Sequence, residues 1–134
     1  MPQIATPSSA PRVLVVDDNQ DAADSLATLL DVLGYSVRIA YDGPDAIEAA
    51  DEFQPEVALL DIGLPRLSGY DIARHVREKR GEEVLLVAIT GWGQEDDRRK
   101  AREAGFDHHF TKPADFDVLI QLIGTELKRR SRAS

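Results

Sequence analysis

The chain has 134 residues, 43% of them hydrophobic, a formal net charge of −8 and no cysteine. That length and composition support one domain around a single core, and the missing cysteines exclude disulfides and thiolate metal sites. The acidic balance argues against a nucleic-acid-binding surface, and neither a membrane-spanning apolar run nor a signal-peptide core is present, so the sequence predicts a soluble cytoplasmic protein.

Residues 1–11, rich in Pro, Ala and Ser, read as a flexible N-terminal segment. Val13-Leu14-Val15-Val16 is an apolar, largely β-branched run that predicts a first buried strand, ending in Asp17-Asp18. From Asn19 the apolar spacing turns helical, through Ala22, Leu26, Leu29, Leu30 and Leu33, and Gly34 offers the left-handed residue that closes a helix. Residues 36–40 alternate polar and apolar, the pattern of a strand near the sheet edge. Asp42-Gly43-Pro44 starts a second helix with a thin stripe of Ala46, Ile47 and Ala50, broken by Pro55.

Val57-Ala58-Leu59-Leu60 then runs straight into Asp61, after which Gly63 and Pro65 stop regular structure. This is the pattern of a central strand buried on both faces whose last residue is an acid. Ser68 caps a third helix carrying Ile72, Ala73 and Val76, ended by Gly81, and residues 84–89 form another apolar strand closed by Thr90-Gly91. Residues 94–104 read as a helix that offers only Ala101 and Ala104 to a core. It leans on charge pairs such as Glu95 with Arg99 and Asp96 with Lys100, each worth ~0.2–0.5 kcal/mol, and is predicted to be the most weakly docked. A last strand spans 107–111, followed by Lys112-Pro113. Phe116, Leu119, Ile120, Ile123 and Leu127 give a final amphipathic helix, running into a basic, solvated tail at 128–134. The β-α alternation predicts an α/β fold, a doubly wound five-stranded parallel sheet spanning residues 12–127.

In a parallel sheet the carboxyl ends of the strands share one edge, where open α/β sheets place their ligands. That edge gathers Asp17, Asp18, Asp61, Thr90 and Lys112. Three carboxylates repel unless a cation intervenes, and an all-oxygen set suits a hard ion such as Mg²⁺. A hydroxyl and an ammonium stabilise charge on a transferring phosphoryl group, and a carboxylate among them can act as nucleophile, giving an aspartyl phosphate. Singly, each residue has a plain structural alternative: Asp17, Asp18 or Asn19 as a helix cap, Thr90 as a strand-end hydroxyl, Lys112 as a solvated charge. Jointly, no structural need places all five on one edge.

The ordered set Val15-Val16-Asp17-Asp18-Asn19, Leu60-Asp61-Ile62-Gly63-Leu64-Pro65, Gly69-Tyr70, Ile89-Thr90-Gly91 and Thr111-Lys112-Pro113 resembles the response-regulator receiver domains of two-component and phosphorelay signalling. The resemblance implies a flavodoxin-like (βα)5 sheet in the order 2-1-3-4-5. It implies that Asp61 accepts a phosphoryl group from a histidine kinase or a histidine phosphotransfer protein. Mg²⁺ would be held by Asp18 directly, by Asp17 mainly through water, and by Asp61 and the Gly63 carbonyl. Thr90 and Lys112 would meet the phosphoryl oxygens, with the Lys112-Pro113 bond cis.

His109 stands where receivers often carry Tyr or Phe, so it is expected either as the switch residue beside Thr90, able to titrate near neutrality, or as a partly exposed strand residue with no switching role. His108 and His109, adjacent in a strand, point to opposite faces and do not form a metal pair. Trp92 is expected either to tune phosphate lifetime or to pack on the fourth helix. Phosphorylation is expected to shift the fourth helix, last strand and last helix and so change the binding of a downstream protein, with no direct nucleic-acid or membrane contact. The protein is read as a switch that takes part in its own phosphoryl transfer and autodephosphorylation, not as a turnover enzyme. Either a single-domain regulator or a receiver from a hybrid kinase fits; the runs at 90–94 and 107–110 are more similar to the latter.

The alternative reading is a Mg²⁺-dependent phosphohydrolase with an aspartate nucleophile. Enzymes of the haloacid-dehalogenase type place a second Asp two residues after the nucleophile, where this chain has Gly63. A flavodoxin-like FMN binder is disfavoured because no Ser/Thr/Gly-rich loop follows the first strand, and the P-loop sequence is absent. The five pocket residues also disfavour a receiver that only docks partners.

Overall fold

The computed structural model describes residues 10–64, 67–91, 95–112 and 114–133. The elements alternate as β1 (Arg12–Val16), α1 (Gln20–Val32), β2 (Ser36–Ala40), α2 (Gly43–Phe53), β3 (Val57–Asp61), α3 (Gly69–Arg80), β4 (Leu85–Thr90), α4 (Glu95–Ala104), β5 (His108–Thr111) and α5 (Phe116–Ala133). A short 3-10 turn, Gly81–Glu83, joins α3 to β4. The strands form one parallel sheet in the order β2-β1-β3-β4-β5, as the resemblance implies. The expectations for residues 1–9, Trp92 and the Pro113 peptide bond lie outside the described residues, as do the side-chain pairs expected from Glu95 and Asp96.

The continuous apolar runs of β1, β3 and β4 are explained by two separate cores, one on each sheet face. Leu14, Val16, Ala58, Leu60, Leu86 and Ala88 face a core completed by α2, α3 and α4. Val13, Val15, Val57, Leu59, Leu85 and Val87 face the other, completed by Leu26 and Leu30 of α1 and Leu119 and Ile123 of α5. Because side chains alternate along a strand, one unbroken apolar run fills both cores. Right-handed crossovers then dictate which helices share a face. On α2 the buried residues are Gly43, Ala46, Ala49 and Ala50, small groups that let the helix lie close to the sheet.

Local signals set the helix starts. Asn19 caps α1, its side chain accepting from the Ala22 N–H at 3.1 Å, so Asp17 and Asp18 are not spent on capping. Asp42 caps α2, and Ser68 caps α3 in a capping box with Asp71. Helix α2 ends on Gln54 in the left-handed conformation (φ 54°), one residue before the expected breaker Pro55.

Four expectations need correction. The strand predicted at 84–89 is Leu85–Thr90, and that predicted at 107–111 begins at His108, because the Asp107 carboxylate is used as a hydrogen-bond acceptor just before the strand. The basic run predicted as a tail from 128 is helical to Ala133, while its Lys128 and Arg129 are exposed, as expected of a solvated run. Arg130 holds it there, donating to the Glu82 carbonyl at 2.6 Å, while Arg129 pairs with Glu126 at 2.8 Å. Phe116, predicted on the apolar stripe of α5, is 39% exposed, since the core begins a turn later at Leu119.

Candidate functional site

Strand register brings the expected residues together at the carboxyl edge of the sheet. Val16 pairs with Leu60, so Asp17 follows β1 level with Asp61, the last residue of β3. Asp61 is in register with Ile89, which places Thr90 one residue further along β4. Thr90 in turn is level with Thr111 of β5, and its carbonyl accepts the Lys112 N–H at 2.7 Å. Asp17, Asp61 and Thr90 are buried, while Asp18 is exposed.

The Lys112 ammonium bridges two of the acids, with Nζ 3.1 Å from Asp17 Oδ2 and 3.3 Å from Asp61 Oδ2. The other oxygen of each acid is held by backbone: Asn19 N–H donates to Asp17 Oδ1 at 2.9 Å, and Gly63 N–H to Asp61 Oδ1 at 3.0 Å. Burial pushes the Asp61 pKa up, and the charge of Asp17 adds to this; the Gly63 N–H and Lys112 oppose it without winning. Burial also works against the Lys112 cation, but the hydrogen bond to Asp17 and the charges of Asp61 and Asp17 outweigh it and raise the Lys112 pKa.

Carboxylate oxygens of Asp17, Asp18 and Asp61 lie within 4.8 Å of one another. One ammonium cannot neutralise three such groups, and an all-oxygen donor set suits a hard divalent ion. The edge therefore combines an acid cluster whose geometry could hold a metal ion, a buried carboxylate, a buried hydroxyl and an ammonium. His109 lies outside this group. It is half-buried and level with Ala88 on the α4 face of the sheet, whereas His108, level with Val87, turns to the α5 face, where its ring is 3.9 Å from Glu126. Their opposite orientation is the one strand alternation predicts.

Gly69 stands against the backbone that carries Asp61 for a reason the sequence does not reveal. A Cβ there would stand 2.6 Å from the Asp61 carbonyl oxygen and 2.8 Å from Ile62 Cα, so only glycine lets α3 start directly against the backbone that carries Asp61. Its N–H donates to the Ile62 carbonyl at 3.3 Å, tying the helix to that backbone. The sequence signal is a glycine after the Ser68 cap, in the Gly69-Tyr70 pair that carries part of the resemblance, and neither gives the reason for it.

Comparison with known proteins agrees with this geometry. Residues 13–124 match the response regulator receiver domain family. A curated relative, the DNA-binding dual master transcriptional regulator RpaA of Synechocystis sp., is 29% identical over 123 residues, covering 91% of this chain. The chain spans 51% of that relative's length. Among solved structures, a CheY-like receiver domain protein from Methanospirillum hungatei superposes with a TM-score of 0.88 at 25% identity, covering 94% of this chain and all of the other. The OmpR/PhoB homologue DrrB of Thermotoga maritima gives a TM-score of 0.80 at 31% identity, covering 90% of this chain and 54% of that one. A BeF3-activated DrrB receiver domain gives 0.82 at 30% identity, over 89% of this chain and 98% of the other. The chain belongs to the response-regulator receiver domains of two-component signalling.

Proposed function

We propose that this domain is a phosphorylation-operated switch whose phosphoacceptor is Asp61, with a histidine kinase or a histidine phosphotransfer protein as donor. The observation that carries this reading is the bridging of Asp17 and Asp61 by Lys112 beside the buried Thr90, with Asp18 completing the acid cluster. A carboxylate oxygen of Asp61 attacks the phosphorus of the donor phosphohistidine. The N–P bond breaks, the imidazole nitrogen leaves with its electron pair and takes up a proton, and Asp61 holds an acyl phosphate.

Lys112 already touches Asp61, so its ammonium meets the incoming phosphoryl oxygens with little rearrangement. The Thr90 hydroxyl serves a second oxygen. Asp17, Asp18, Asp61 and the Gly63 carbonyl fit Mg²⁺, which when bound neutralises charge on the acids and the phosphoryl group. The same groups that orient the phosphoryl group orient the water that later removes it, giving autodephosphorylation. Because the Lys112 N–H is bonded to the Thr90 carbonyl, movement of Thr90 toward the phosphoryl group is transmitted to β5 and to His109. The α4-β5-α5 surface is then the face read by a downstream protein partner.

Incubation with a small acyl or amido phosphate and Mg²⁺, followed by intact-mass measurement, tests the assignment. The expected result is one phosphoryl adduct, absent in Asp61→Asn and lost when the cation is chelated. Steady hydrolysis of many phosphate esters with no adduct would instead support the aspartate-nucleophile phosphohydrolase.

A further inference from the structure

Helix α4 and strand β5 enclose a groove of about 370 Å³. Its floor is apolar, formed by the buried Ala101 and Phe106, and Arg98, Arg102, His108 and His109 line it around that floor. Arg98 and Arg102 are four residues apart on one helix, so their side chains rise from the same face. Both are exposed, and among the described residues neither has an ion-pair partner. Other arginines among the described residues are paired with acids: Arg12 with Glu56, Arg38 with Glu52, Arg74 with Asp71, Arg77 and Arg130 with Asp107, Arg80 with Glu83 and Arg129 with Glu126.

Among the described residues, acids near the groove do not balance these charges. Asp107 touches it, but its Oδ2 already accepts from the Leu86 N–H at 2.9 Å and from Arg77 at 2.9 Å, with Arg130 at 3.5 Å. Glu126, behind His108, is held by Arg129. Counted over the described residues, the groove is thus lined by two unpaired arginines in a chain of net charge −8, whose residues 17–56 carry eleven acids against Arg38 alone.

We infer that this groove binds an acidic peptide segment of a protein partner, one that presents two carboxylates to Arg98 and Arg102 and an apolar side chain to Ala101 and Phe106. Its lining cations sit around one short cleft with an apolar floor, which fits a peptide side chain better than the extended backbone of a nucleic acid. One wall, α4, follows Thr90, and the other, β5, is followed by Lys112, so occupancy is linked to the phosphoryl state of Asp61. This linkage, unlike the binding itself, rests on the function proposed above.

Fluorescence anisotropy with the whole chain decides the matter. The probes are a short labelled peptide with paired Glu residues flanking a Leu, the same peptide with Gln for Glu, and a single-stranded oligothymidylate. At low salt the Glu peptide is expected to bind about tenfold more tightly than the Gln peptide. Arg98→Glu with Arg102→Glu is expected to abolish the preference, and Arg98→Gln with Arg102→Gln, which disturbs the helix less, to reduce it. In samples whose mass shows the phosphoryl adduct, the Glu-peptide affinity is expected to change about fivefold or more. Equal binding of the two peptides, a preference that survives both double variants, or tighter capture of the oligonucleotide through the same arginines overturns the groove assignment. An unchanged affinity in adduct-bearing protein overturns the linkage. Failure to form any adduct counts against the phosphoacceptor reading, and the peptide comparison still decides the groove.

Discussion

Asp61 sits in the acceptor edge at a cost to the fold. Its pKa is raised in the native state, chiefly by burial, so the folded protein holds the proton more tightly than the unfolded chain does. Below the ordinary carboxylate value of 3.8 both states are protonated. As pH rises from there through the raised native value, the unfolded chain releases its proton first, and stability falls. At neutral pH the ionised acid is therefore destabilising, and Asp61→Asn should raise the melting temperature of the cation-free protein, by about 1 kcal/mol in stability, while abolishing the adduct. A lower melting temperature for that variant would contradict the account. Lys112 has the opposite sign: its raised pKa contributes stability below its ordinary 10.5 that is lost as pH climbs through the native value. Gly69→Ala should cost about 1–3 kcal/mol, because the new methyl must displace the Asp61 backbone or the start of α3. Adduct formation should slow with it; a variant that melts and phosphorylates like wild type would refute the close-approach role. Each of Asp17, Asp18, Asp61, Thr90 and Lys112 is legible in the sequence because it ends or follows a strand. The need for glycine at 69 is not, since it arises from a backbone contact between α3 and the end of β3.

At the scale of elements, α4 is the helix whose sequence offers the core only small side chains. Its sequence offers only Ala101 and Ala104 to the core, and both are buried. Its C-terminal end, however, is anchored in a way no local pattern foretells. The Arg77 guanidinium donates from Nε to the Gly105 carbonyl at 2.9 Å, and from its terminal nitrogens to Gly81 at 2.7 Å, Val84 at 2.8 Å and Asp107 at 2.9 Å. Gly105 adopts φ +108°, and a Cβ there would press against the Arg77 side chain. One end of α4 is thus pinned to α3 and β5 while the other follows Thr90. A phosphate mimic with Mg²⁺ should change hydrogen exchange in the first turns of α4 and leave residues 104–107 nearly unchanged; a uniform change along the helix would count against a pinned end. Arg77→Ala leaves three carbonyls and a carboxylate short of a donor, and should destabilise the fold by about 2–4 kcal/mol in denaturant titrations. Periodicity locates α3, α4 and β5 but cannot show that a residue of α3 joins Gly105 and Asp107 across about thirty positions. The same limit explains the tail: Lys128-Arg129-Arg130 reads as solvated until Arg130 is seen bonded to Glu82, and cations at a helix C-terminus suit its dipole.

For the molecule as a whole, the alternation of apolar runs and amphipathic stretches is enough to specify the sheet, because every strand but β2 and β5 must be covered on both faces. The strand ends given chemistry under the proposed function all fall on one edge, so under that proposal proton, cation and phosphoryl group compete for the same oxygens. That competition yields a pH dependence whose sign is set by the cation. Without it, acidification protonates Asp61 and relieves the cluster; with it, acidification removes a ligand and weakens binding. A ligand that binds only the folded state adds about 2.7 kcal/mol at a hundred times its dissociation constant. Thermal melts at fixed Mg²⁺ should therefore show a stabilisation that is largest at neutral pH and shrinks as pH falls through the raised Asp61 range. The difference between melts with and without the cation cancels the carboxylates that the cation does not touch, so it reports on the groups that bind it. Asp61→Asn and Asp18→Asn should each shrink that difference at neutral pH, whereas Asp51→Asn, which removes an acid paired with His75 away from the edge, should leave it intact. A stabilisation independent of pH, or one equally sensitive to Asp51, would mean that the cation binds somewhere other than the acceptor edge.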